Sequence, residues 1–162
     1  WLPVARKIIK KFKLNNKSKI LDVGCGKGFL LFEIKKILPS ITLVGFDISK
    51  YGIKKSPEEV KKYLFYHKAQ NKYPFQSKQF DLAISTGCFH NLKINELKFA
   101  FKEIQRVSKK SYVMVESYRN EKELFNLQCW ALTCESFFSK KEWLWIFKEF
   151  KYNRNYEFIY FN

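Results

Sequence analysis

Three of the six glycines in this chain of 162 residues lie at alternate positions in the stretch ILDVGCGKG, residues 20–28. Gly24, Gly26 and Gly28 follow an apolar run and precede an amphipathic one, so they predict a tight turn whose backbone angles disfavour side chains. Such a turn also lets a ligand lie directly on the backbone, beside the N–H groups at the start of a helix. The spacing is GxGxG, whereas the dinucleotide pattern GxGxxG needs a glycine where Phe29 stands. We therefore expect the turn to bind a ligand other than a dinucleotide.

Hydrophobic periodicity predicts that strands and helices alternate around this turn. Runs that indicate strands cover residues 18–24, 41–47, 64–69, 80–86, 111–117 and 156–161. Stripes at helical spacing indicate helices at 2–13, 29–38, within 49–64, at 94–107, around 120–131 and after Ser139, with capping boxes at Ser56–Glu59 and Ser139–Glu142. This alternation predicts one doubly wound α/β domain over residues 1–162, with a mostly parallel sheet flanked by helices. Its ligand site is expected at the carboxyl ends of the strands.

Five segments, in the expected order, resemble the motifs of class I S-adenosylmethionine-dependent methyltransferases, which have a Rossmann-like fold. They are LDVGCGKG (21–28), VGFDIS (44–49), YPFQSKQFDLAISTGCFHNL (73–92), SYVMVESY (111–118) and FFSKKEWLWIFKEF (137–150). The resemblance covers roughly residues 18–161. It implies S-adenosyl-L-methionine as the cofactor and S-adenosyl-L-homocysteine as the product. It also implies that the last strands of the sheet run antiparallel, with the segment TCESFF either supplying a strand or leaving the sheet reduced.

The resemblance also implies which residues bind the cofactor. Asp47, at the tip of the second strand, can accept hydrogen bonds from both ribose hydroxyls. Asp22 is expected either to orient the glycine turn or to meet the cofactor's ammonium group, and Ile48 either to pack on adenine or to belong to the core. The complete predicted set is Asp22, Gly24, Cys25, Gly26, Gly28, Asp47, Ile48, Ala69, Gln70, Ser85 and Thr86.

One position departs from the family pattern. An acidic residue often follows the third strand in this family and meets the adenine amine, but Lys68 stands in that place. Lysine cannot accept a hydrogen bond. We therefore expect the adenine edge to meet the backbone of Ala69 or the side chains of Gln70 and Asn71.

Catalytic candidates follow the fourth and fifth strands. His90 lies where a general base is expected, and its ordinary pKa suits neutral pH, although helix capping or packing is the alternative role. Glu116 and Tyr118 are expected either to line the acceptor pocket or to pair on the surface. A base is needed only for an acceptor that must lose a proton, because methyl transfer from a sulfonium depends mainly on positioning.

The acceptor is expected to be a small molecule, such as a saccharide or another metabolite. Base-methylating branches of the family typically carry Asn/Asp-Pro-Pro-Tyr after the fourth strand, where this chain has STGCFH. An RNA or protein acceptor, or a non-catalytic module of the same fold, are the alternatives. The apolar segment 124–138 is expected to form the acceptor wall or a lid, or else a helix with an extra strand.

The amino-acid composition gives further information on partners, metal sites and cellular location. The chain has 31 Lys and Arg against 15 Asp and Glu, a net charge of +16, which indicates either an anionic partner or a biased genome. Four cysteines show no CxxC pair and no histidine at ligand spacing, so we expect no metal site and a reducing, cytoplasmic location. No secretory signal or membrane-length apolar run is visible. The chain begins at Trp1 rather than Met, which leaves room for an upstream segment.

Overall fold

The computed structural model describes residues 1–162 and contains one six-stranded sheet in the order β3-β2-β1-β4-β5-β6. The strands are β1 (Lys19–Val23), β2 (Thr42–Asp47), β3 (Leu64–Tyr66), β4 (Phe80–Thr86), β5 (Ser108–Glu116) and β6 (Asn155–Ile159). The helices are α1 (Leu2–Phe12), α2 (Phe29–Ile37), α3 (Lys50–Lys54), α4 (Glu58–Lys61), α5 (Ile94–Val107), α6 (Glu121–Trp130) and α7 (Lys140–Glu149), with a 3-10 turn at Phe89–Asn91. None of these helices is long and apolar enough to cross a bilayer. The doubly wound α/β prediction is confirmed.

Every pair of neighbouring strands is parallel, so the expectation of antiparallel last strands is wrong. β6 pairs with β5 in parallel, with Tyr112 opposite Asn155 and Glu116 opposite Ile159. The chain leaves the carboxyl end of β5, passes through α6 and α7, and returns to the opposite end of the sheet, where β5 begins, before it enters β6; this is the ordinary geometry of a crossover connection. The segment between α6 and α7 forms no strand, so TCESFF does not extend the sheet.

The sheet separates two hydrophobic clusters, and alternate residues of the central strands point into each. Ile20 of β1 packs with residues of α1 and α2, whereas its neighbour Leu21 packs with α5 and α7. Because both faces of β1 are covered, its apolar residues run almost without interruption, as parallel strands require. This packing places the carboxyl ends of β1, β2 and β4 side by side.

The two predicted capping boxes differ in outcome. At α7 the box forms: Ser139 N donates to Glu142 Oε2 at 2.7 Å and Ser139 Oγ accepts from Glu142 N at 3.4 Å. At α4 it does not form, because the Ser56 hydroxyl donates to the Ile53 carbonyl at the end of α3, 2.7 Å away. The region 49–64 therefore contains two short helices, and the helix at 58–61 lacks a side-chain cap.

Candidate cofactor and active site

Two cavities open at the carboxyl edge of the sheet, on either side of Gly24. The first cavity, of about 380 Å³, is lined by residues at or after the carboxyl ends of β1, β2, β3 and β4, by the first turn of α5 and by one residue after α6. These residues are Gly24, Phe46, Asp47, Ile48, His67, Ala69, Gln70, Gly87, Cys88, Asn91, Leu92, Glu96 and Thr133. The second cavity, of about 220 Å³, is lined by Trp1, Asp22, Gly24, Cys25, Gly26, Lys27, Phe29, Leu30 and Thr86. Their position matches the edge at which open α/β sheets bind ligands.

The glycine turn, residues 24–28, lies between the two cavities, and no side chain covers the backbone at its glycines. Gly24 has φ +76° and donates its N–H to the Phe46 carbonyl at 2.9 Å, which ties the turn to the end of β2. A Cβ on Gly24 would lie 2.3 Å from Cys88 Sγ, so no side chain fits there. A Cβ on Gly26 would meet nothing within 4 Å, so Gly26 faces open space. Gly28 lines neither cavity, and it begins α2 with φ +71° instead.

Asp47 joins the glycine turn to the start of α3. Its Oδ2 accepts from Gly26 N at 2.7 Å, and its Oδ1 accepts from Ser49 N at 2.7 Å. These two bonds fix the plane of the carboxylate at the wall of the first cavity. Each oxygen keeps a second acceptor site, because a carboxylate offers about four lone-pair directions. A ligand with two neighbouring hydroxyl donors can therefore bind there.

Asp22 is a buried carboxylate without a partner for one of its oxygens. Its exposed fraction is 1%, and Oδ1 makes no hydrogen bond. Burial, and secondarily the nearby charge of Asp47, raises the pKa of Asp22 from 3.8 to about 7. An unpaired buried carboxylate destabilises a fold, and Asp22 is one of the residues that line the second cavity.

The other predicted cofactor residues divide between the two cavities. Ile48, Ala69 and Gln70 line the first, and Cys25 and Thr86 line the second. Ser85 is fully buried and lines neither cavity. His67, which follows β3, also lines the first cavity.

Glu96, from the first turn of α5, is a wall residue that sequence reasoning missed. Lys68 is exposed and lies off the cavity wall, whereas Gln70 Nε2 donates to Glu96 Oε1 at 3.3 Å. Glu96 Oε2 also accepts from Lys93 N at 3.0 Å, which satisfies the backbone N–H of the residue that precedes α5. With its amide nitrogen directed to Glu96, Gln70 keeps its carbonyl oxygen as an acceptor. The sequence signal that could have identified Glu96 is its place in the first turn of the helix predicted at residues 94–107.

The predicted catalytic residues His90 and Glu116 contact each other in the interior of the domain. His90 Nδ1 lies against Glu116 Oε2, with exposed fractions of 3% and 2% for the two residues. Tyr118 is half-buried beside Glu142, and burial followed by that neighbouring charge raises the pKa of its phenol. None of the three lines either cavity, so a direct part in proton transfer stays a prediction.

The segment after α6 forms part of the wall of the first cavity. Thr133 Oγ1 donates to Asn91 Oδ1 at 2.8 Å, and both residues line that cavity. Glu135 N and Ser136 N each donate to the His90 carbonyl at 3.0 Å. These bonds hold the segment against the turn after β4 and fix Thr133 at the cavity wall, and residues 131–139 form no extra strand.

Comparisons with known proteins agree with this geometry. A family model described as "Methyltransferase domain" matches residues 14–151. A ribosomal RNA small subunit methyltransferase C from Buchnera aphidicola is 38% identical over 81 residues, which are 48% of this chain and 24% of that protein. A malonyl-[acyl-carrier protein] O-methyltransferase from Legionella pneumophila is 29% identical over 92 residues, which are 55% of this chain and 32% of that protein. The chain thus spans a third or less of the length of these relatives.

Solved structures show the same fold. The YcgJ protein from Bacillus subtilis has a TM-score of 0.70 and 17% identity, over 90% of this chain and 66% of that one. A SAM-dependent methyltransferase from Aquifex aeolicus has a TM-score of 0.63 and 23% identity, over 90% of this chain and 78% of that one. Because the family model covers most of the residues, from before β1 to the end of α7, the chain belongs to the class I methyltransferase domain family.

Proposed function

We propose that this chain binds S-adenosyl-L-methionine and uses it as a methyl donor. The observation that carries the proposal is the buried carboxylate of Asp22, a residue that lines the second cavity and whose Oδ1 has no hydrogen-bond partner. A carboxylate there is complementary to the ammonium group of an amino-acid tail, and Gly26 beside it leaves the backbone open. Asp47, on the first cavity, is complementary to a ribose diol. A nucleoside joined to an amino acid satisfies both carboxylates.

The two cavities divide the cofactor between them in this proposal. The first holds adenosine, with Asp47 at the ribose and Ile48, Ala69 and Gln70 around adenine. The second holds the methionine tail, with Asp22 at the ammonium group. Gly24 lines both cavities, so in this proposal the middle of the ligand crosses the turn at Gly24.

When bound, the cofactor supplies a methyl group on a positively charged sulfur. The chain contributes position, because the glycine turn, Asp22 and Asp47 hold the donor while the turn 89–91 and Thr133 form the opposite wall. His90 and Glu116 act in this proposal as positioning residues, since they fix the turn that carries Asn91. A base is required only for an acceptor that must release a proton.

We propose a small-molecule acceptor. The wall beside Gly87 offers the uncharged groups of Cys88, Asn91 and Thr133, which suit a neutral molecule with hydroxyl or amide groups. Residues 85–90 there read STGCFH, without a Pro-Pro pair for a nucleobase amine. RNA is the second candidate acceptor, because of the net charge of +16. One relative is a ribosomal RNA methyltransferase and another a malonyl-[acyl-carrier protein] O-methyltransferase.

We propose that residues 1–162 act as one domain in a reducing compartment, such as the cytoplasm. The support is that the sheet unites elements from both ends of the chain, with α1 packed on α2 and β6 paired with β5. All four cysteines are free thiols, as a reducing compartment maintains them.

Calorimetric titration with S-adenosyl-L-homocysteine, and separately with NAD, tests the cofactor assignment. We expect the homocysteine nucleoside to bind and NAD not to bind. Asp47→Asn should weaken binding about tenfold to a hundredfold, because one charge-assisted acceptor is lost. Asp81→Asn is the matched control, since Asp81 lies near the start of β4 and pairs with Lys109 at 2.8 Å. Preferential binding of NAD, or equal effects of the two substitutions, would overturn the proposal.

A further inference from the structure

Most of the net positive charge lies in the first 72 residues, which form one side of the domain. Residues 1–72 contain 17 of the 31 Lys and Arg but only 5 of the 15 Asp and Glu. They form the elements from α1 to β3, which include the three strands at one side of the sheet, β3, β2 and β1. This half carries a net charge of +12 (17 − 5), against +4 (14 − 10) for the remaining 90 residues. The asymmetry therefore indicates an anionic partner for this half.

The acidic residues in that half leave most of its positive charge uncompensated. Asp22 is buried at the second cavity, and Asp47 accepts two backbone hydrogen bonds beside the first. Glu33 keeps 18% of its side chain exposed and pairs with Lys36 at 3.5 Å. Glu58 pairs with Lys61 at 2.6 Å, and Glu59 alone is exposed without an ion pair. The surface of α3 contains no acidic residue at all.

Exposed aromatic rings lie among these lysines, next to the cavities. Tyr51 on α3 is 65% exposed, and Tyr66 on β3 is 45% exposed. The Lys27 ammonium lies 6.0 Å from the centre of the Tyr51 ring, and the Lys50 ammonium lies 5.2 Å from the centre of the Tyr66 ring. Lys27 also lines the second cavity. The basic groups and the flat rings therefore form one surface that reaches the edge of the candidate active site.

We propose that this surface binds single-stranded nucleic acid. We call it the basic face, and it consists of Lys27, Lys50, Tyr51, Lys54, Lys55 and Tyr66. Lysines along a groove neutralise phosphates, and exposed rings accept stacked bases with little sequence preference. The proposal goes beyond the proposed function, because it assigns a nucleic-acid surface to named residues outside the first cavity, whichever acceptor is methylated.

An anionic membrane is the other class of partner that a basic protein can bind, and the structure disfavours it. Surface-binding helices present an apolar face to the lipid. The most lysine-rich helix, α1, instead buries Ala5, Ile8 and Phe12 against the core. The basic face thus carries charge and aromatic rings without an apolar helical face to insert.

The test uses a labelled single-stranded RNA of about twelve nucleotides, within the site sizes known for such surfaces. The variant Lys50→Glu, Lys54→Glu, Lys55→Glu should weaken binding at least tenfold. It should also reduce the slope of log affinity against log salt by about 2, since each phosphate contact contributes about 0.7. The matched control is Lys140→Glu, Lys141→Glu, Lys148→Glu on α7, which makes the same charge change at exposed positions. We expect the control to bind RNA within about threefold of the parent chain, because the residues lie outside the proposed contact.

Three outcomes would overturn the inference: equal weakening by both triple variants, no RNA binding by the parent chain near physiological salt, or tighter binding to phosphatidylserine vesicles than to RNA. Titration of the same variants with S-adenosyl-L-homocysteine separates this inference from the cofactor proposal. RNA binding without nucleoside binding would contradict the proposed function alone. Nucleoside binding without RNA binding would contradict the inference alone.

Discussion

Replacing Asp22 with asparagine should stabilise the folded protein at neutral pH while weakening its binding of the cofactor. Burial, with a smaller effect of Asp47, raises the pKa of Asp22 from 3.8 to about 7. Between about pH 4 and pH 7 the folded state therefore keeps a proton that the unfolded chain has released. The free energy of unfolding falls as the pH rises through this window, and the loss is complete above the folded-state pKa. Asparagine carries no charge, so the free energy of unfolding of the variant does not fall over this pH range.

The shift of about three pKa units corresponds to roughly 4 kcal/mol at 1.36 kcal/mol per unit, of which about 3 kcal/mol develops between pH 5 and pH 8. Cofactor binding has the opposite dependence, because only the ionised carboxylate attracts an ammonium group. At about pH 6 roughly a tenth of Asp22 is ionised, so affinity should be about tenfold lower than at pH 8. Asp22→Asn should lose this pH dependence, together with about 2 kcal/mol of binding free energy.

Two measurements check these numbers on the same protein samples. Urea unfolding from about pH 5 to pH 8 gives the difference in stability between the variant and the parent chain, which should grow with pH. Calorimetric titration with S-adenosyl-L-homocysteine over the same range gives the affinity. Parallel pH profiles of stability for Asp22→Asn and the parent chain would refute the assignment of a raised pKa. A pH-independent affinity of the parent chain would refute the ion pair with the ligand.

Two further substitutions probe the walls of the cavities. Gly24→Ala should abolish nucleoside binding and lower the free energy of unfolding by more than 2 kcal/mol, because its Cβ would lie 2.3 Å from Cys88 Sγ. Gly26→Ala should lower the free energy of unfolding, measured in urea, by only about 1 kcal/mol, because nothing lies within 4 Å of its Cβ. Equal costs of the two alanines would contradict the described packing. Glu96→Leu should reduce the preference for S-adenosyl-L-homocysteine over its 6-oxo analogue about tenfold in competition binding, because the Gln70 amide loses the group that orients it. An unchanged preference would show that residues other than Gln70 and Glu96 recognise the adenine edge.

The part of the candidate site that the sequence brings together without the structure is local in the chain. Gly24, Gly26 and Asp47 lie within two short motifs, and each motif joins the end of a strand to the start of a helix. Parallel strands bring such ends together whatever their sequence separation, so spacing within each motif is enough to bring these residues to one edge of the sheet. The two cavities lie where this reasoning predicts them.

The part that the sequence does not predict depends on contacts between distant segments. Gln70 meets Glu96 across 26 residues, and Asn91 meets Thr133 across 42. The inward direction of His90, toward Glu116, depends on the end of β5, which periodicity does not describe. Period-two patterns also read the same in both directions along a strand, so the parallel orientation of β6 needed the three-dimensional connection through α7.

The position of the cavities on either side of Gly24 has a kinetic consequence for the proposed reaction. All the contacts assigned to the donor fall on its nucleoside and its amino-acid tail, and methyl transfer alters neither part. Interactions that are equal before and after the chemical step do not favour departure of the spent molecule. Accumulated S-adenosyl-L-homocysteine should therefore compete with fresh donor, and sustained turnover would require a second catalyst that degrades it.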